Sequence, residues 1–272
     1  MKKQILLYSA GIIAVTLSIF FIYRHFNKLE INSNNPEFAE YISAYTTGSI
    51  SKAGIIQINL TPELSGKIKE GKKLEDLISF SPSIEGKFEI VENVITFKPE
   101  KYLPSGKEYF VVFNLGEVAK VKKDLNEFVF KFKTIEQDFD FEITEQKTTD
   151  KKTLKLQQLS GVIHTADIES LDKLSKAFEA TQDGKKLEIK WTDVKEGTVH
   201  YFTIDNIIRS EKKSKVIIKY DGEIISSNKK GKEEIEIPAI GDFYFISAKV
   251  VQQPDQYLQL QFSDPLDPKQ NL

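Results

Sequence analysis

The sequence predicts a mainly β protein: tandem antiparallel β-sandwich domains carried behind an N-terminal transmembrane helix. Three observations carry this. Apolar and polar residues alternate at period two through much of residues 55–115, and Pro and Gly break the alternation, as in the strands and turns of half-buried sheets. Aromatic residues are numerous, with 19 Phe and 10 Tyr, which suits two-sided sheets better than helical bundles. Residues 4–23 carry no charge and are long enough to cross a bilayer.

Composition sets the outer limits. At 272 residues the chain has room for about two domains of ordinary size. Hydrophobic residues at 40% and charged residues at 29% describe globular rather than disordered protein. A net charge of −2 gives no general attraction to nucleic acid, which is not expected as a partner. The chain has no cysteine, which excludes disulfides, thiolate metal sites, cysteine nucleophiles and an internal thioester.

At the N-terminus, Lys2 and Lys3 precede the uncharged run 4–23. At about 1.5 Å per residue it spans about 30 Å as a helix. It ends Ser18-Ile19-Phe20-Phe21-Ile22-Tyr23, bulky where a signal peptidase needs small residues, and a lipoprotein signal would need a cysteine. The expectation is a retained signal anchor over residues 1–23. The slight excess of positive charge before the span places the N-terminus inside. The body is then membrane-anchored and periplasmic or extracellular. Residues 24–37 are polar and Asn-rich (Asn32-Ser33-Asn34-Asn35-Pro36), a tether composition.

A first sandwich is expected over residues 38–136. Phe38, Tyr41 and Tyr45 are spaced as on a helix of two turns at most, though irregular coil leading into the first sheet fits as well. Ile56, Ile58 and Leu60 then share one strand face, with Gln57 and Asn59 on the other. Thr61-Pro62-Glu63-Leu64 and an apolar turn, Leu74-Glu75-Asp76-Leu77-Ile78, follow. After Phe80-Ser81-Pro82, a second alternation ends Ile95-Thr96-Phe97-Lys98-Pro99, and Leu103-Pro104-Ser105-Gly106 turns the chain. Tyr109, Val111, Phe113 and Leu115 form a third face, and Phe128, Phe130 and Phe132 a fourth. Glu136-Gln137-Asp138 reads as a domain joint.

A second sandwich is expected over residues 137–240. Phe139, Phe141 and Ile143 form a strand face, and Leu154 with Leu156 begin another. Ser160-Gly161-Val162-Ile163-His164-Thr165-Ala166 leads to Asp167, placed to cap a helix whose Ile168, Leu171, Leu174 and Phe178 share one side. Asp183-Gly184 is a hairpin turn. Leu187, Ile189 and Trp191 are expected on one strand face, then Phe202 with Ile204, and Val216 with Ile218 and Tyr220. Asp221-Gly222 and Asn228-Lys229-Lys230-Gly231-Lys232 are further turns, and Pro238 closes the unit.

Residues 241–272 read as the start of an incomplete third β domain, with Phe243, Phe245, Leu258, Leu260 and Phe262 on its strands. A sandwich needs about 100 residues, so these side chains are expected to lie in water. Leu60-Thr61-Pro62-Glu63-Leu64 is echoed by Phe262-Ser263-Asp264-Pro265-Leu266, each after an alternating strand, and Leu159-Ser160-Gly161-Val162-Ile163 holds the same place between them. Self-similarity at about one hundred residues indicates tandem domains, read here as the front of a longer array.

Several stretches carry a family resemblance: Phe38-Ala39-Glu40-Tyr41-Ile42 with Thr47-Gly48-Ser49-Ile50-Ser51, then Ser160 to Asp167 as quoted above. Trp191, His200-Tyr201-Phe202, Arg209, Tyr220-Asp221-Gly222, Ile237-Pro238-Ala239 and Phe262-Ser263-Asp264-Pro265-Leu266-Asp267 complete the set. In this order they resemble the N-terminal region of bacterial alpha-2-macroglobulins of the membrane-anchored, Bacteroidetes type. The resemblance implies Ig-like, macroglobulin-type domains. In the full-length protein it implies downstream partner domains, a bait segment cut by target proteases, and often a Cys-x-Glu-Gln thioester. No bait or thioester is recognisable in this chain. Architecture and location carry over, and no functional residue does: no catalytic, cofactor-binding or metal residue is expected, and the chain is not expected to be an enzyme. The alternative is a bacterial Ig-like surface adhesion or scaffold module.

His25 sits at the membrane edge, where a polar-tipped ring is comfortable. His164 and His200 suit local backbone bonding better than a shared metal. Asp264 and Asp267 flank Pro265, where turn chemistry outweighs a calcium site. Lys212, Lys213 and Lys215, and Lys229, Lys230 and Lys232, alternate with Glu211, Glu233 and Glu234 and read as solvated surface. Trp191 is expected in the core.

Overall fold

The computed structural model of the chain describes residues 29–69, 73–192, 196–243, 245–264, 266 and 269. The signal anchor with its span 4–23, the first part of the tether, His25 and Asp267 lie outside them. Among the described residues no helix is long and apolar enough to cross a membrane. The chain divides between Ile135 and Glu136 into two compact units.

Unit 1 holds strands β1 (Ile42–Tyr45), β2 (Gly48–Ile50), β3 (Ile56–Leu60), β4 (Ile78–Ser81), β5 (Gly86–Val91), β6 (Val94–Pro99), β7 (Glu108–Phe113) and β8 (Phe128–Thr134). They form two four-stranded sheets, β1-β3-β6-β5 and β2-β8-β7-β4. The first strand is divided between them: β1 pairs antiparallel with β3, and β2 pairs parallel with β8. Gly48 makes the step at φ +74°, a conformation open to glycine. The alternating faces meet as the pattern requires. Ile56, Ile58, Leu60, Ile95 and Phe97 from one sheet and Tyr109, Val111, Phe113, Phe128, Phe130 and Phe132 from the other are all buried in one cluster. Between β3 and β4, the helix Pro62–Lys69 adds Leu64 and Ile68, and the single turn Leu74–Leu77 adds its two leucines.

Residues 36–45 are not one helix. Asn35 caps a 3-10 turn, Pro36–Glu40, by accepting the Glu37 N–H at 3.0 Å, and pairing of Ile42 with Leu60 then draws the chain into β1. Phe38 and Tyr45 still share a wall. Their rings lie 4.9 Å and 5.1 Å from Phe128, so the aromatic spacing reports a common neighbour rather than a helical face. The described end of the tether is docked. Asn32 accepts the Val129 N–H at 2.8 Å and donates through Nδ2 to the Glu127 carbonyl at 2.7 Å.

Unit 2 holds β9 (Phe139–Thr148), β10 (Leu156–Ser170), β11 (Phe178–Gln182), β12 (Lys185–Leu187), β13 (Ile189–Thr192), β14 (Glu196–Ile208), β15 (Ser214–Asp221) and β16 (Lys230–Ile237). The sheets are β13-β14-β10-β9 and β12-β11-β15-β16, antiparallel throughout. Their inner faces bury Leu159, Ile163, Phe202, Ile204, Val216, Ile218 and Ile237, and the helix Leu171–Ala177 adds Leu174.

Three local expectations in this unit are corrected. Asp167 does not cap a helix. β10 runs through it, and Ser170 is the cap residue. The Gln137 side chain explains this: its Oε1 accepts the Asp167 N–H at 3.0 Å and its Nε2 donates to the Asp167 carbonyl at 3.1 Å, holding extended backbone. Leu154 stands in a turn at φ +59°, its N–H bonded to the Asp150 carbonyl, and the strand starts at Leu156. Leu187, Ile189 and Trp191 do not share one strand. The chain changes sheets at Glu188, so Leu187 faces Ala180 on β11 and Ile189 faces Ile204 on β14. All three are half-buried against the core, Trp191 included. Asp183-Gly184 is the expected turn, with φ of +48° and +76°.

Strands β17 (Phe245–Val251) and β18 (Tyr257–Phe262) form a two-stranded antiparallel sheet at the end of this unit. Phe245, Val250, Leu258 and Leu260 are exposed on it, and Phe243 just before it; Phe262, expected in water, is instead half-buried, its ring 5.3 Å from that of Phe243.

Candidate functional site

The most heavily bonded polar cluster of unit 2 forms where β14 ends. Gln182 fixes the strand end, accepting the Ile208 N–H at 2.9 Å and donating to the Ile208 carbonyl at 2.7 Å. Arg209 follows, and its side chain is fully buried. Its Nε donates to the Pro238 carbonyl at 3.1 Å and Nη2 to the Ala239 carbonyl at 2.7 Å. Nη1 and Nη2 together grip both carboxylate oxygens of Asp264, and Nη1 lies 3.5 Å from the Thr148 hydroxyl. All five guanidinium N–H groups thus have acceptors, the fork geometry that lysine cannot supply. Around the pair, Thr148 Oγ1 donates to the Ser263 carbonyl at 3.0 Å, Gln261 to the Gln146 carbonyl at 2.7 Å, and the Ser263 hydroxyl to the Asp242 carbonyl at 2.8 Å. The joint fastens the end of β18 to the ends of β9 and β14. With its donors consumed and its carboxylate matched, the arrangement suits holding rather than proton transfer.

The two described histidines stand on neighbouring strands and opposite faces. His164 on β10 is exposed; His200 on β14 is buried beside Ile163. The backbone therefore prevents them from sharing a ligand. His200 Nε2 lies 2.9 Å from the Gly197 carbonyl, which makes it the donor, while Nδ1 has no partner among the described residues. Burial pushes its pKa down, against the Gly197 bond and the Glu169 charge. Among the described residues no three acidic, histidine or cysteine side chains converge as a metal site.

The lysine-rich stretches are laced with carboxylates. Lys213 pairs with Glu236 at 2.8 Å, and Lys215 and Lys232 both pair with Glu234 at 2.7 Å. Those two bonds hold the Glu234 carboxyl at a pKa of about 2. Lys229 reaches Asp140 at 2.9 Å and Asp138 at 3.1 Å, and Lys230 reaches Asp221 at 2.8 Å. These are cross-strand and loop pairs on a mixed-charge surface, each worth little alone.

No known protein family matches the chain, and no curated protein does. Among solved structures it is similar to L,D-transpeptidase 3 from Mycobacterium tuberculosis in complex with a faropenem-derived adduct, at 10% identity and TM-score 0.28, over 45% of this chain and 46% of that one. An L,D-transpeptidase from Mycobacterium tuberculosis matches at 7% identity and TM-score 0.26, over 82% and 76%. Surface layer protein SbsC, domains 1–6, matches at 10% and 0.25, over 81% and 45%. The chain thus spans less than half the length of the first of these. Similarities this slight carry no argument about fold or activity.

Sequence reasoning placed Asp264 in a turn and overlooked its partner. One signal was present: Arg209 is one of only two arginines, with Arg24, in a chain that otherwise uses lysine. A lone arginine among lysines marks a place where planar, two-pronged bonding is required.

Proposed function

We propose that the chain is a membrane-tethered array of Ig-like, macroglobulin-type β-sandwich domains that does no chemistry itself and serves as the spacer of a protease-trapping assembly. The observation that carries the reading is the strand order common to both units. In each, the first strand pairs with the second and the second with the strand before the last two; the third strand joins those last two in the facing sheet. This is the ABED and CFG arrangement of Ig-like sandwiches. Each unit also places a helix between its second and third major strands, Pro62–Lys69 in one and Leu171–Ala177 in the other. The resemblance of the sequence to bacterial alpha-2-macroglobulins supplies the trap, and the uncharged run at residues 4–23 supplies the anchor. The alternative, a surface adhesion or scaffold module, draws on the same strand order.

The test mixes the full-length gene product with a broad-specificity protease. A trap is nicked at one place, changes electrophoretic mobility sharply and retains the protease. Unchanged mobility with no protease retained rejects trapping and leaves the scaffold reading.

A further inference from the structure

Two buried side-chain atoms of unit 2 have no hydrogen-bond partner among the described residues: the Thr165 hydroxyl oxygen and Nδ1 of His200. Thr165 is 6% and His200 0% exposed. The two are neighbours. His200 stands opposite Ile163 across the β10–β14 ladder, and Thr165 lies two positions beyond Ile163 on the same inward face. The sheet is also open beside them. β10 keeps register with β14 as far as His164 opposite Val199 and regains it at Glu169 opposite Gly197, so residues 165–168 face Thr198 alone in a wide bulge. On its other side β10 stays tied. Thr165 pairs with Phe139, the Ala166 N–H donates to the Asp138 carbonyl at 2.8 Å, and Gln137 bonds both backbone groups of Asp167. The room made by the bulge therefore falls on the β14 side, where the two unpartnered atoms are.

From this geometry we infer that the β10 bulge is the binding site of one structural water molecule, bonded to His200 Nδ1 and to the Thr165 hydroxyl. The chemistry of the two atoms calls for a bridge. His200 Nε2–H donates to the Gly197 carbonyl at 2.9 Å, so Nδ1 carries a lone pair and only accepts. The Thr165 hydroxyl has a proton to give but does not reach it. Diagonal neighbours on one sheet face stand roughly 7 Å apart, a span that two short side chains and one water fill. The water donates to Nδ1, bonds Oγ1, and keeps a further bond for the backbone of the bulge, within the two to four that buried waters make. A metal cation does not suit the site, because among the described residues no three acidic, histidine or cysteine side chains converge. Without an occupant both atoms are desolvated and uncompensated. The water also fixes the ring tautomer, since a proton on Nδ1 would face its hydrogens. The site is independent of protease trapping.

The experiment uses the full 272-residue chain at about pH 7.5, above the ordinary range of histidine titration. A crystal structure is expected to show one density peak at about 2.7–3.2 Å from both Nδ1 and Oγ1. In solution, Thr165→Val keeps the shape of the side chain and removes its hydroxyl. The Nδ1 magnetic resonance of His200 then moves toward that of an unbonded ring nitrogen, whereas Thr165→Ser leaves it in place. No peak, or a direct bond between the two side chains, overturns the inference. A peak ringed by oxygens at about 2.3–2.6 Å marks a cation and overturns it as well. So does an Nδ1 resonance indifferent to Thr165→Val. If Thr165→Val does not fold, the crystal of the unsubstituted chain decides alone. Mobility after protease cleavage tests the trap and is indifferent to all of these results.

Discussion

Replacing Asp264 by alanine removes the carboxylate from a guanidinium with no exposed surface. What remains around Arg209 is the carbonyl oxygens of Pro238 and Ala239 and, at 3.5 Å, the Thr148 hydroxyl. Breaking a buried pair in this way costs about 3–5 kcal/mol, because the charge left behind is still out of water. The reverse deletion, Arg209→Ala, leaves Asp264 free to rehydrate from its 11% exposure, but strands the two carbonyls at about 1–3 kcal/mol each. The joint also has an escape route. If β17 and β18 lift away, water reaches Arg209, so the cost is capped by the free energy that holds the hairpin to the rest of its unit. Urea unfolding of the full chain, read by hydrogen exchange at residues 139–237 and 257–262 separately, distinguishes these routes. With a slope of about 2 kcal/mol per molar urea, Asp264→Ala lowers the unit 2 midpoint by about 1.5–2.5 M. A smaller shift with lost protection at 257–262 identifies the escape. An unchanged midpoint with unchanged protection refutes the buried clamp.

The remaining expectations concern single residues. Burial keeps His200 neutral in the folded chain, whereas the unfolded chain takes up a proton below about pH 6.5. Unit 2 therefore keeps its full stability above that pH and loses it as pH falls further, by at most about 1.4 kcal/mol per pH unit. His200→Leu flattens this slope in urea midpoints taken from about pH 7.5 to 5, and an unaltered slope removes His200 as its source. A methyl group at Gly161 falls 2.7 Å from the Glu142 carbonyl oxygen and collides with the Phe202 ring. Gly161→Ala consequently destabilises unit 2 by about 1–3 kcal/mol, measured as a lower denaturation midpoint. Asn32→Ala loses the bonds to Val129 and Glu127 and weakens unit 1 by about 1–2 kcal/mol, while unit 2 unfolds as before; equal midpoints for unit 1 show that the Asn-rich stretch is not docked in solution.

The inward faces were legible because a strand's side-chain period is two and a buried face tolerates no slip. Tyr109, Val111 and Phe113 are buried together for that reason, as are Phe128, Phe130 and Phe132. The Asp183-Gly184 turn was legible because few residue pairs accept two consecutive positive φ angles. Events decided by distant partners were not. Asp167 has the chemistry of a helix cap, yet Gln137, thirty positions earlier, bonds both its backbone groups. Nothing near Glu188 announces that the strand changes sheets, because a half-buried apolar residue serves either one. Asp264 beside Pro265 looks like a turn, and its partner lies 55 positions away. Local propensity is a weak prior wherever a long-range bond competes with it.

The divided first strand has a mechanical consequence. β2 lies parallel to β8, with Gly48 opposite Phe132 and Ile50 opposite Thr134, and the Ile135 N–H bonds the Ile50 carbonyl at 2.8 Å. The chain reaches β2 after the docked Asn32, the 3-10 turn and β1, and it leaves unit 1 through β8. Tension that reaches β2 after the Asn32 contacts and the β1–β3 ladder have given way drags it along β8, so the bonds between these two strands share the load in shear and break together rather than peeling singly. A bead built this way resists stretching more than its equilibrium stability suggests.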